Sequence, residues 1–350
     1  MKISAIGERG LIERIRRLLD RPRHALLGVG DDCAALRLTP DRDLLLTTDI
    51  LVEQVDFTRK TITPFHLGRK AMAVNLSDIA AMGGLPRAAL VVLALPPDTE
   101  TDFVEELYGG LQEEGRRYGV EVIGGDLSAS STLMIGVTLV GEVEAGRAVM
   151  RSGAKPGDRI WITGGLGASA AGLAAIQAGF RLQHDRVEAP YDLSADLETA
   201  IHAALERHLY PVPRVREGRA LASASVASAM IDLSDGLASD LVLLCRESGV
   251  SARIVEDRIP IDPAASVVAQ HLGRDPMGMA LRGGEDFELL FTSSAHDGEI
   301  TELFSDNQTV TNVGEIRESG RGYLLLQRTG DEVPLAGGFD HFRQKWHGES

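Results

Sequence analysis

The spacing of apolar residues predicts a long helix near the middle of the first half of the chain. Thr63 is suited to cap its N-terminus, and Pro64 is suited to the first helical position. The helical pattern runs to about Met82. The pair Gly83-Gly84 then stops it, and Pro86 prevents it from resuming.

Other apolar runs around this helix predict further elements of the first half. They are helices at 11–19 and 102–118, a short apolar run at 44–48 that enters an acidic turn, and strands at 90–95, 120–123 and 133–143. The last two strands are predicted to flank a glycine turn. Because strands and helices alternate, the pattern indicates an α/β layer architecture.

A polar stretch rich in Gly and Pro, at 151–158, indicates a domain boundary nearby. We therefore divide the chain into domains at 1–148 and 149–350. A second α/β pattern follows, with strands at 159–163, 228–233 and 287–291, a helix from about 168 and a helix at 237–246. The polar segment 183–194 is predicted to be a loop.

Composition narrows the class of protein. The 350 residues are enough for about two domains. The longest apolar run, 88–95, is far shorter than the roughly 20 residues of a membrane helix, and the N-terminus lacks the apolar core of a signal peptide. With only two cysteines, a reduced compartment fits best, and we expect a cytoplasmic protein without a membrane partner. The net charge of -15 argues against nucleic acid as a partner.

Acidic residues recur beside apolar elements, in six segments. These are Gly30-Asp31-Asp32, Thr47-Thr48-Asp49, Asn75-Leu76-Ser77-Asp78, Gly124-Gly125-Asp126, Asp232-Leu233-Ser234-Asp235-Gly236 and Gly283-Gly284-Glu285-Asp286. Asp49 and Asp126 are predicted where strands end, and Asp78 on an inward helix face. A single such Asp usually caps a helix or orders a turn. Their recurrence favours a cleft that binds a polyphosphate through several magnesium ions, which prefer oxygen ligands.

Glycines and one arginine suit the same chemistry. Residues 164–167 lie between a strand and a helix, where backbone N–H groups attract anions, although tight-turn chemistry is the better explanation of this loop taken alone. Gly125 would let the backbone approach a phosphate, and Arg151 would add a fixed positive charge. No nucleophile is evident. Cys33 follows two carboxylates that should raise its pKa, and Cys245 lies on the apolar side of its helix.

These motifs, in this order, resemble those of the thiamine-monophosphate kinase family, within the aminoimidazole ribonucleotide synthetase and selenophosphate synthetase superfamily. The resemblance covers nearly the whole chain, and Asp232 to Gly236 with Gly283 to Glu288 and the C-terminal segment Gly338 to Phe342 are its most specific parts. It implies a two-domain fold like aminoimidazole ribonucleotide synthetase. The N-terminal sheet domain would pair in a homodimer, and the C-terminal α/β domain would complete the substrate cleft.

The resemblance also implies residue roles. Magnesium would be held by Asp32, Thr47, Thr48, Asp49, Asp78, Asp126, Asp232 and Asp235. ATP, the co-substrate, would contact Tyr108, Gly125, Asp126, Arg151 and Ser234, and thiamine monophosphate would contact Asp56, Glu285 and Phe339. The implied reaction is direct in-line phosphoryl transfer without a covalent intermediate or a general base. Arg151, Asp126 and Asp232 would stabilise the charge of the transferring group.

One residue departs from the family pattern, because Asp56 stands where relatives often carry a His that contacts substrate. We favour a magnesium bridge from Asp56 to the substrate phosphate, and the alternative is a cap of the turn before Phe57. Two other functions remain open at this point. One is another ATP-using member of the superfamily, such as a selenophosphate synthetase, and the other is a non-catalytic protein that binds nucleotide or thiamine phosphate.

Overall fold

A computed structural model describes residues 25–27, 31–37, 39–183, 186–304 and 309–335. The helix predicted at 11–19 and the C-terminal segment with Phe339 lie outside these ranges. Within them, no helix has the length and apolar character needed to cross a membrane.

The first half of the chain forms a six-stranded sheet in the order β1-β2-β3-β6-β4-β5. The strands are β1 (Ala25–Leu27), β2 (Ala34–Arg37), β3 (Arg42–Val52), β4 (Leu85–Leu95), β5 (Glu121–Ala129) and β6 (Met134–Glu144). Neighbouring strands are antiparallel except β4 and β5, which are parallel. Two helices, α1 (Pro64–Ala81) and α2 (Thr101–Tyr118), connect strands of this sheet.

Helix α1 is the predicted central helix, and its start and end are confirmed. The Thr63 side chain accepts a hydrogen bond from the His66 backbone N–H at 3.2 Å, and Pro64 is the first helical residue. The helix ends at Ala81, with Met82 as its C-cap. Almost all of α1 is buried, its polar residues included. Because buried polar side chains need hydrogen-bonding or charged partners, the partners of these residues show where the functional site lies.

Glycines let α1 and α2 pack backbone against backbone. A Cβ atom on Gly68 would lie 2.0 Å from the carbonyl oxygen of Leu107. One on Gly110 would lie 1.9 Å from the carbonyl oxygen of Phe65. No side chain fits at such separations. The two helices are therefore fixed in their register against each other.

The sheet buries one face against these helices and leaves apolar residues on the other side. Along β3 and β6, buried residues alternate with more accessible ones, as expected for a strand covered on one face. Five large apolar residues of β3, β4 and β5 are exposed. They are Ile50, Leu90, Val92, Ile123 and Leu127, and we call them the exposed apolar set.

The second half forms a seven-stranded sheet in the order β10-β12-β7-β13-β11-β14-β15, beside a short hairpin of β8 and β9. The strands are β7 (Arg159–Thr163), β8 (Arg181–Gln183), β9 (Arg186–Glu188), β10 (Ala229–Asp232), β11 (Ser251–Val255), β12 (Leu289–Ser293), β13 (Val310–Arg317), β14 (Tyr323–Leu326) and β15 (Glu332–Pro334). The helices are α3 (Ala168–Gln177), α4 (Ala195–Leu209), α5 (Val215–Ala224), α6 (Leu237–Ser248), α7 (Pro263–His271), α8 (Pro276–Arg282) and α9 (Asp297–Thr301), with a 3₁₀ turn at Glu256–Arg258.

The larger hydrophobic core joins the two halves of the chain. It includes Leu76 of α1 together with Leu205 of α4 and Leu221 of α5. At the contact between α1 and α5, a Cβ atom on Gly218 would lie 2.1 Å from the carbonyl oxygen of Ala80. Backbones meet closely here too, so α1 packs directly against the second half as well as against α2.

The structure corrects several predicted elements. The pair Gly124-Gly125 is not a turn, because β5 continues through it to Ala129. Asp49 and Asp126 accordingly lie within strands rather than at their ends. Strand β4 begins before Pro86, which is accommodated at a shift of register. Within the segment predicted as a loop at 183–194, the chain forms the second strand of the short hairpin.

Candidate functional site

Three aspartates from distant parts of the chain meet between its two halves. Asp32 lies between β1 and β2, Asp78 lies on α1, and Asp232 is the last residue of β10. One carboxylate oxygen from each lies within 4.8 Å of the others. We call these residues the aspartate cluster. All three are among the predicted magnesium ligands.

Hydroxyl groups hold two of these carboxylates in place. Thr47 of β3 donates a hydrogen bond to Asp78. Ser77, the residue before Asp78 on α1, donates to Asp232 Oδ2 at 2.6 Å. The bond from Ser77 joins the N-terminal half to the C-terminal half. The relative position of the halves therefore sets the geometry of the cluster.

Arg151 binds the third carboxylate of the cluster. Its Nε and Nη2 atoms donate to the two oxygens of Asp32 at 2.9 and 2.7 Å. Its backbone N–H donates to Asp31 at 3.0 Å. The predicted cation for the phosphoryl group thus lies at the cluster, where it neutralises Asp32.

Burial and mutual repulsion raise the pKa values of the cluster. The pKa of Asp78 is well above its ordinary value, first through burial and then through the charges of Asp49, Asp232 and Asp32. The pKa of Asp232 is also raised well above its ordinary value, by burial and then by Asp32. Three adjacent carboxylates with hydroxyl neighbours form the hard-oxygen donor set that magnesium prefers. The residues present therefore fit a divalent cation.

The other predicted ligands on strands are placed differently. Asp49 lies at the rim of the cluster, where its charge reaches Asp78. Its backbone N–H donates to the Asn75 side chain at 3.0 Å. The Thr48 side chain instead donates to the Val137 carbonyl oxygen at 3.1 Å, because successive residues of a strand point to opposite faces. The structure does not bring the Thr48 hydroxyl to the aspartate cluster.

Asp126 is exposed on the edge strand β5. Its register partner on β4 is Val92, a member of the exposed apolar set. Paired residues of neighbouring strands point to the same face of a sheet. Asp126 therefore shares the face of Val92 and is not one of the residues that meet in the cluster.

The two acidic motifs of the C-terminal half bind each other through their backbones. The Glu285 N–H donates to the Ser234 carbonyl oxygen at 2.8 Å, and the Phe287 N–H donates to that of Leu233 at 2.9 Å. The Ser234 side chain is exposed, and Asp235 lies beside it in the same turn, half-buried. The segments that carry Asp232 and Glu285 thus form one unit.

The glycine-rich segment 164–167 is not an open anion site. The carboxylate of Asp286 accepts from the backbone N–H of Gly167 at 2.7 Å and from that of Ser169 at 3.2 Å. Asp286 therefore occupies the N-terminus of α3, which the sequence indicated as a candidate anion site. Burial raises the pKa of Asp286 to about 7, although these two hydrogen bonds work in the opposite direction.

Glu288 packs against the start of the same segment, at Gly164. It is fully buried, accepts from Thr163 Oγ1 at 2.7 Å, and binds Arg207 at 2.8 Å and Arg214 Nε at 2.6 Å. A Cβ atom on Gly164 would lie 2.2 Å from a Glu288 oxygen, and Gly164 has a φ of 61°. Turn chemistry, the explanation that the sequence favoured for this loop taken alone, accounts for these glycines.

The predicted substrate residue Glu285 joins the two halves a second time. Lys70 of α1, which is almost fully buried, places its Nζ 2.8 Å from Oε1 and 3.0 Å from Oε2 of Glu285. His208 Nδ1 lies 3.3 Å from Glu285 Oε2 and 3.1 Å from Ser169 Oγ. The pKa of His208 is lowered to about 4, by burial and then by the charge of Lys70. His208 is therefore neutral near pH 7, and Lys70 supplies the positive charge.

The remaining predicted contacts have separate positions. Tyr108 is half-buried on α2. Gly125 has a packing reason, since a Cβ there would lie 1.8 Å from the Val91 carbonyl oxygen. Asp56 accepts from the Val52 backbone N–H at 2.7 Å, so one of its oxygens orders the turn after β3. Phe339 lies outside the described residues.

Comparison with known proteins decides the family. The model for the AIR synthase related protein N-terminal domain matches residues 30–143, and that for the C-terminal domain matches residues 155–327. Thiamine-monophosphate kinase of Aquifex aeolicus is 37% identical over 325 residues, covering 93% of this chain and 96% of the relative. That of Salmonella typhimurium is 38% identical, covering 97% and 99%. The chain belongs to the thiamine-monophosphate kinase family.

Solved structures of the family agree in fold. The structure of AaThiL complexed with AMPPCP and TMP has a TM-score of 0.83 at 35% identity, covering 97% of this chain and 99% of that one. The hydrogenase maturation protein HypE in complex with ATP has a TM-score of 0.66 at 19% identity and shares the fold alone. The predicted two-domain fold like aminoimidazole ribonucleotide synthetase is confirmed.

Sequence reasoning missed two polar residues of this family member. Lys70 and Ser77 were not assigned roles, although both are polar positions on a helix that is otherwise mostly apolar. A buried lysine or serine needs a partner, and this is the signal that would have found them. The expectation for the cysteines holds. Burial, followed by neighbouring carboxylates, raises the Cys33 pKa well above its ordinary value, and burial raises that of Cys245 to about 12.

Proposed function

We propose that this protein transfers the γ-phosphoryl group of ATP to thiamine monophosphate, forming thiamine diphosphate and ADP. The observation that carries the proposal is the aspartate cluster, which gathers three carboxylates from both halves of the chain. Family membership over nearly the full length supports the same substrates, and one relative was solved with AMPPCP and TMP. The acceptor is itself a phosphate, whose oxygen is already anionic near neutral pH. The reaction therefore needs no general base.

Magnesium would be held by the aspartate cluster, with Thr47, Asp49 and Asp235 nearby and with Thr48 and Asp126 as further proposed ligands. Bound there, the ions would neutralise the phosphate oxygens and so lower the barrier to in-line transfer. Arg151 keeps Asp32 fixed and adds positive charge at the same point. ATP would also contact Tyr108, Gly125 and Ser234.

The ring end of the substrate would lie at Glu285, because a carboxylate suits a cationic thiazolium. Glu285 is partly accessible, whereas its partner Lys70 is buried behind it. Asp56 and Phe339 complete the proposed substrate contacts. The site thus has a metal end at the aspartate cluster and a ring end at Glu285. Both would lie at the boundary between the domains 1–148 and 149–350, a division that the two separate family-model matches support.

Product analysis by chromatography tests the activity. The protein, ATP, magnesium and thiamine monophosphate should give thiamine diphosphate, and omission of magnesium should abolish it. Free thiamine serves as the control acceptor, since it lacks the phosphate oxygen. Absence of diphosphate at adequate magnesium, or equal use of free thiamine, would contradict the proposal. A selenophosphate synthetase-like reaction is disfavoured, because both cysteines are buried and have raised pKa values.

We propose further that two copies associate through the exposed apolar set. Within the set, Ile50, Leu90 and Val92 share one sheet face. Monomeric proteins seldom leave large apolar residues grouped in this way, and β5 also leaves a sheet edge open among the described strands. Light scattering should give twice the chain mass of 37.5 kDa. Leu90→Glu should weaken the dimer. Val267→Glu on α7 is the matched control, because Val267 is 39% exposed and Leu90 is 41% exposed, and it should leave the dimer unchanged. A monomer at micromolar concentration of the unmodified protein would refute the dimer.

The cytoplasm is the compartment we propose for this activity. ATP is abundant there, and two unpaired cysteines suit a reducing environment. A fractionation experiment should find the protein with cytoplasmic markers, and recovery with membranes would contradict this placement.

A further inference from the structure

Helix α1 carries two polar residues that reach the C-terminal half at different points. Ser77 binds Asp232 in the aspartate cluster, and Lys70 binds Glu285. Ser77 follows Lys70 by seven positions, which is nearly two helical turns. Both residues therefore lie on one face of α1, about 10 Å apart along its axis. One rigid helix thus touches both the metal end and the ring end of the proposed site.

Glu285 combines a constrained backbone with a partly exposed side chain. Its φ of 64° is unfavourable for a residue with a side chain, so its backbone is held by neighbours. Its side chain is 30% exposed, while that of Lys70 is 2% exposed. The ammonium group contacts both carboxylate oxygens from the buried side. The accessible side of the carboxylate is left directed away from the helix.

We propose that Lys70 is a positioning residue for substrate recognition, which holds the Glu285 carboxylate in the orientation that receives the cationic ring. This inference rests on the proposed function, because it takes thiamine monophosphate as the ligand of Glu285. The substrate never has to touch Lys70. Removal of the lysine takes away the cation that contacts both carboxylate oxygens, so the carboxylate is held less firmly in its orientation.

The test is the steady-state kinetics of Lys70→Met, a neutral side chain of similar length. We expect the KM for thiamine monophosphate to rise at least about tenfold, the size of one lost charge-assisted contact. The KM for ATP should stay within about twofold, because the metal end is held by Ser77 and Thr47. The kcat should fall less than the KM rises, since a ground-state contact is lost.

Arg69→Met is the matched control. Arg69 is a buried cation at the adjacent position of α1, but it pairs with a different carboxylate, Glu114 at 2.9 Å, and its guanidinium stacks on the Tyr210 ring at 4.0 Å. We expect it to lower the melting temperature without changing the KM for thiamine monophosphate. If both variants shift that KM equally, Lys70 acts only through stability and the inference is overturned.

A double-mutant cycle separates action through Glu285 from a direct effect. In a Glu285→Gln background, Lys70→Met should raise the KM no further, because the carboxylate to be positioned is gone. Full additivity of the two effects would overturn the inference. If Lys70→Met does not fold, Lys70→Arg replaces it. The guanidinium is larger than the ammonium group that this buried site accommodates, so it would displace the Glu285 carboxylate and the KM for thiamine monophosphate should rise at least about threefold. An unchanged KM in that variant would overturn the inference.

These outcomes are distinct from failure of the proposed function. If the unmodified protein makes no thiamine diphosphate, the proposed function fails before any variant is compared. If it is active and Lys70→Met keeps the original KM for thiamine monophosphate, the proposed function stands and only the role of Lys70 is wrong.

Discussion

Replacing Asp232 by Asn should make the metal-free protein more stable and far less active. The closest oxygens of Asp78 and Asp232 lie within 4.8 Å. At an effective dielectric of about 20, two charges at that distance repel by about 3 kcal/mol. Asn can still accept the hydrogen bond from Ser77, and loss of its charge costs about 1 kcal/mol. The net gain is up to about 2 kcal/mol when both carboxylates are ionised, and smaller where their raised pKa values leave one protonated. The melting temperature should therefore rise by up to about 3 °C for a chain of this length.

Thermal unfolding in EDTA at pH 8 measures the stability, and the same scan with magnesium reports on metal binding. The unmodified protein should gain more from magnesium than the variant, and the variant should lose about a hundredfold or more in turnover. Asp158→Asn is the matched control. Asp158 is equally buried, but donors from Lys155 and Ser228 satisfy it, so the change should destabilise. An Asp232→Asn variant that melts below the unmodified protein in EDTA would refute the reasoning.

Three further predictions follow from single contacts. The pKa of Asp286 is raised from 3.8 to about 7, so the folded state binds a proton that the unfolded chain has released between those values. Stability should therefore fall as pH rises through that window, by up to about 1.4 kcal/mol per pH unit, and Asp286→Asn should flatten this part of the unfolding profile; an unchanged profile would contradict it. Gly110→Ala should destabilise by about 2 kcal/mol through the clash with Phe65, whereas Gly109→Ala, whose Cβ would lie 3.7 Å from the nearest atom, should stabilise slightly; equal melting temperatures would count against the packing argument. Asp56→Ala should raise the KM for thiamine monophosphate more than it lowers kcat; no change across a magnesium titration would restrict Asp56 to its bond with the turn.

Predictions that depend only on neighbouring residues were confirmed, whereas those that a distant contact overrides were wrong. The start of α1 depends on Thr63 and Pro64, whose capping geometry involves only neighbouring residues, and it was predicted correctly. The pair Gly124-Gly125 was assigned to a turn because adjacent glycines usually mark one. In the fold these glycines lie in a strand, and Gly125 is required by the distant carbonyl of Val91.

The site shows the same limit. Asp32, Asp78 and Asp232 were predicted as ligands from motif order, and the fold brings them together. The alternation of β3 would have predicted that only one of Thr47 and Thr48 faces α1. By contrast, no local pattern shows that Asp286 fills the N-terminus of α3, because that contact spans more than a hundred residues.

The glycine contacts of α1 also limit how substrate preference can change during evolution. With Gly68 against α2 and Gly218 of α5 against Ala80, small substitutions cannot shift this helix along its axis. The distance along α1 between Lys70, which contacts Glu285, and Ser77, which contacts Asp232, therefore cannot change without repacking the helix. A descendant that accepts a longer or shorter phosphate ester must acquire its changes elsewhere, at accessible side chains such as that of Ser234.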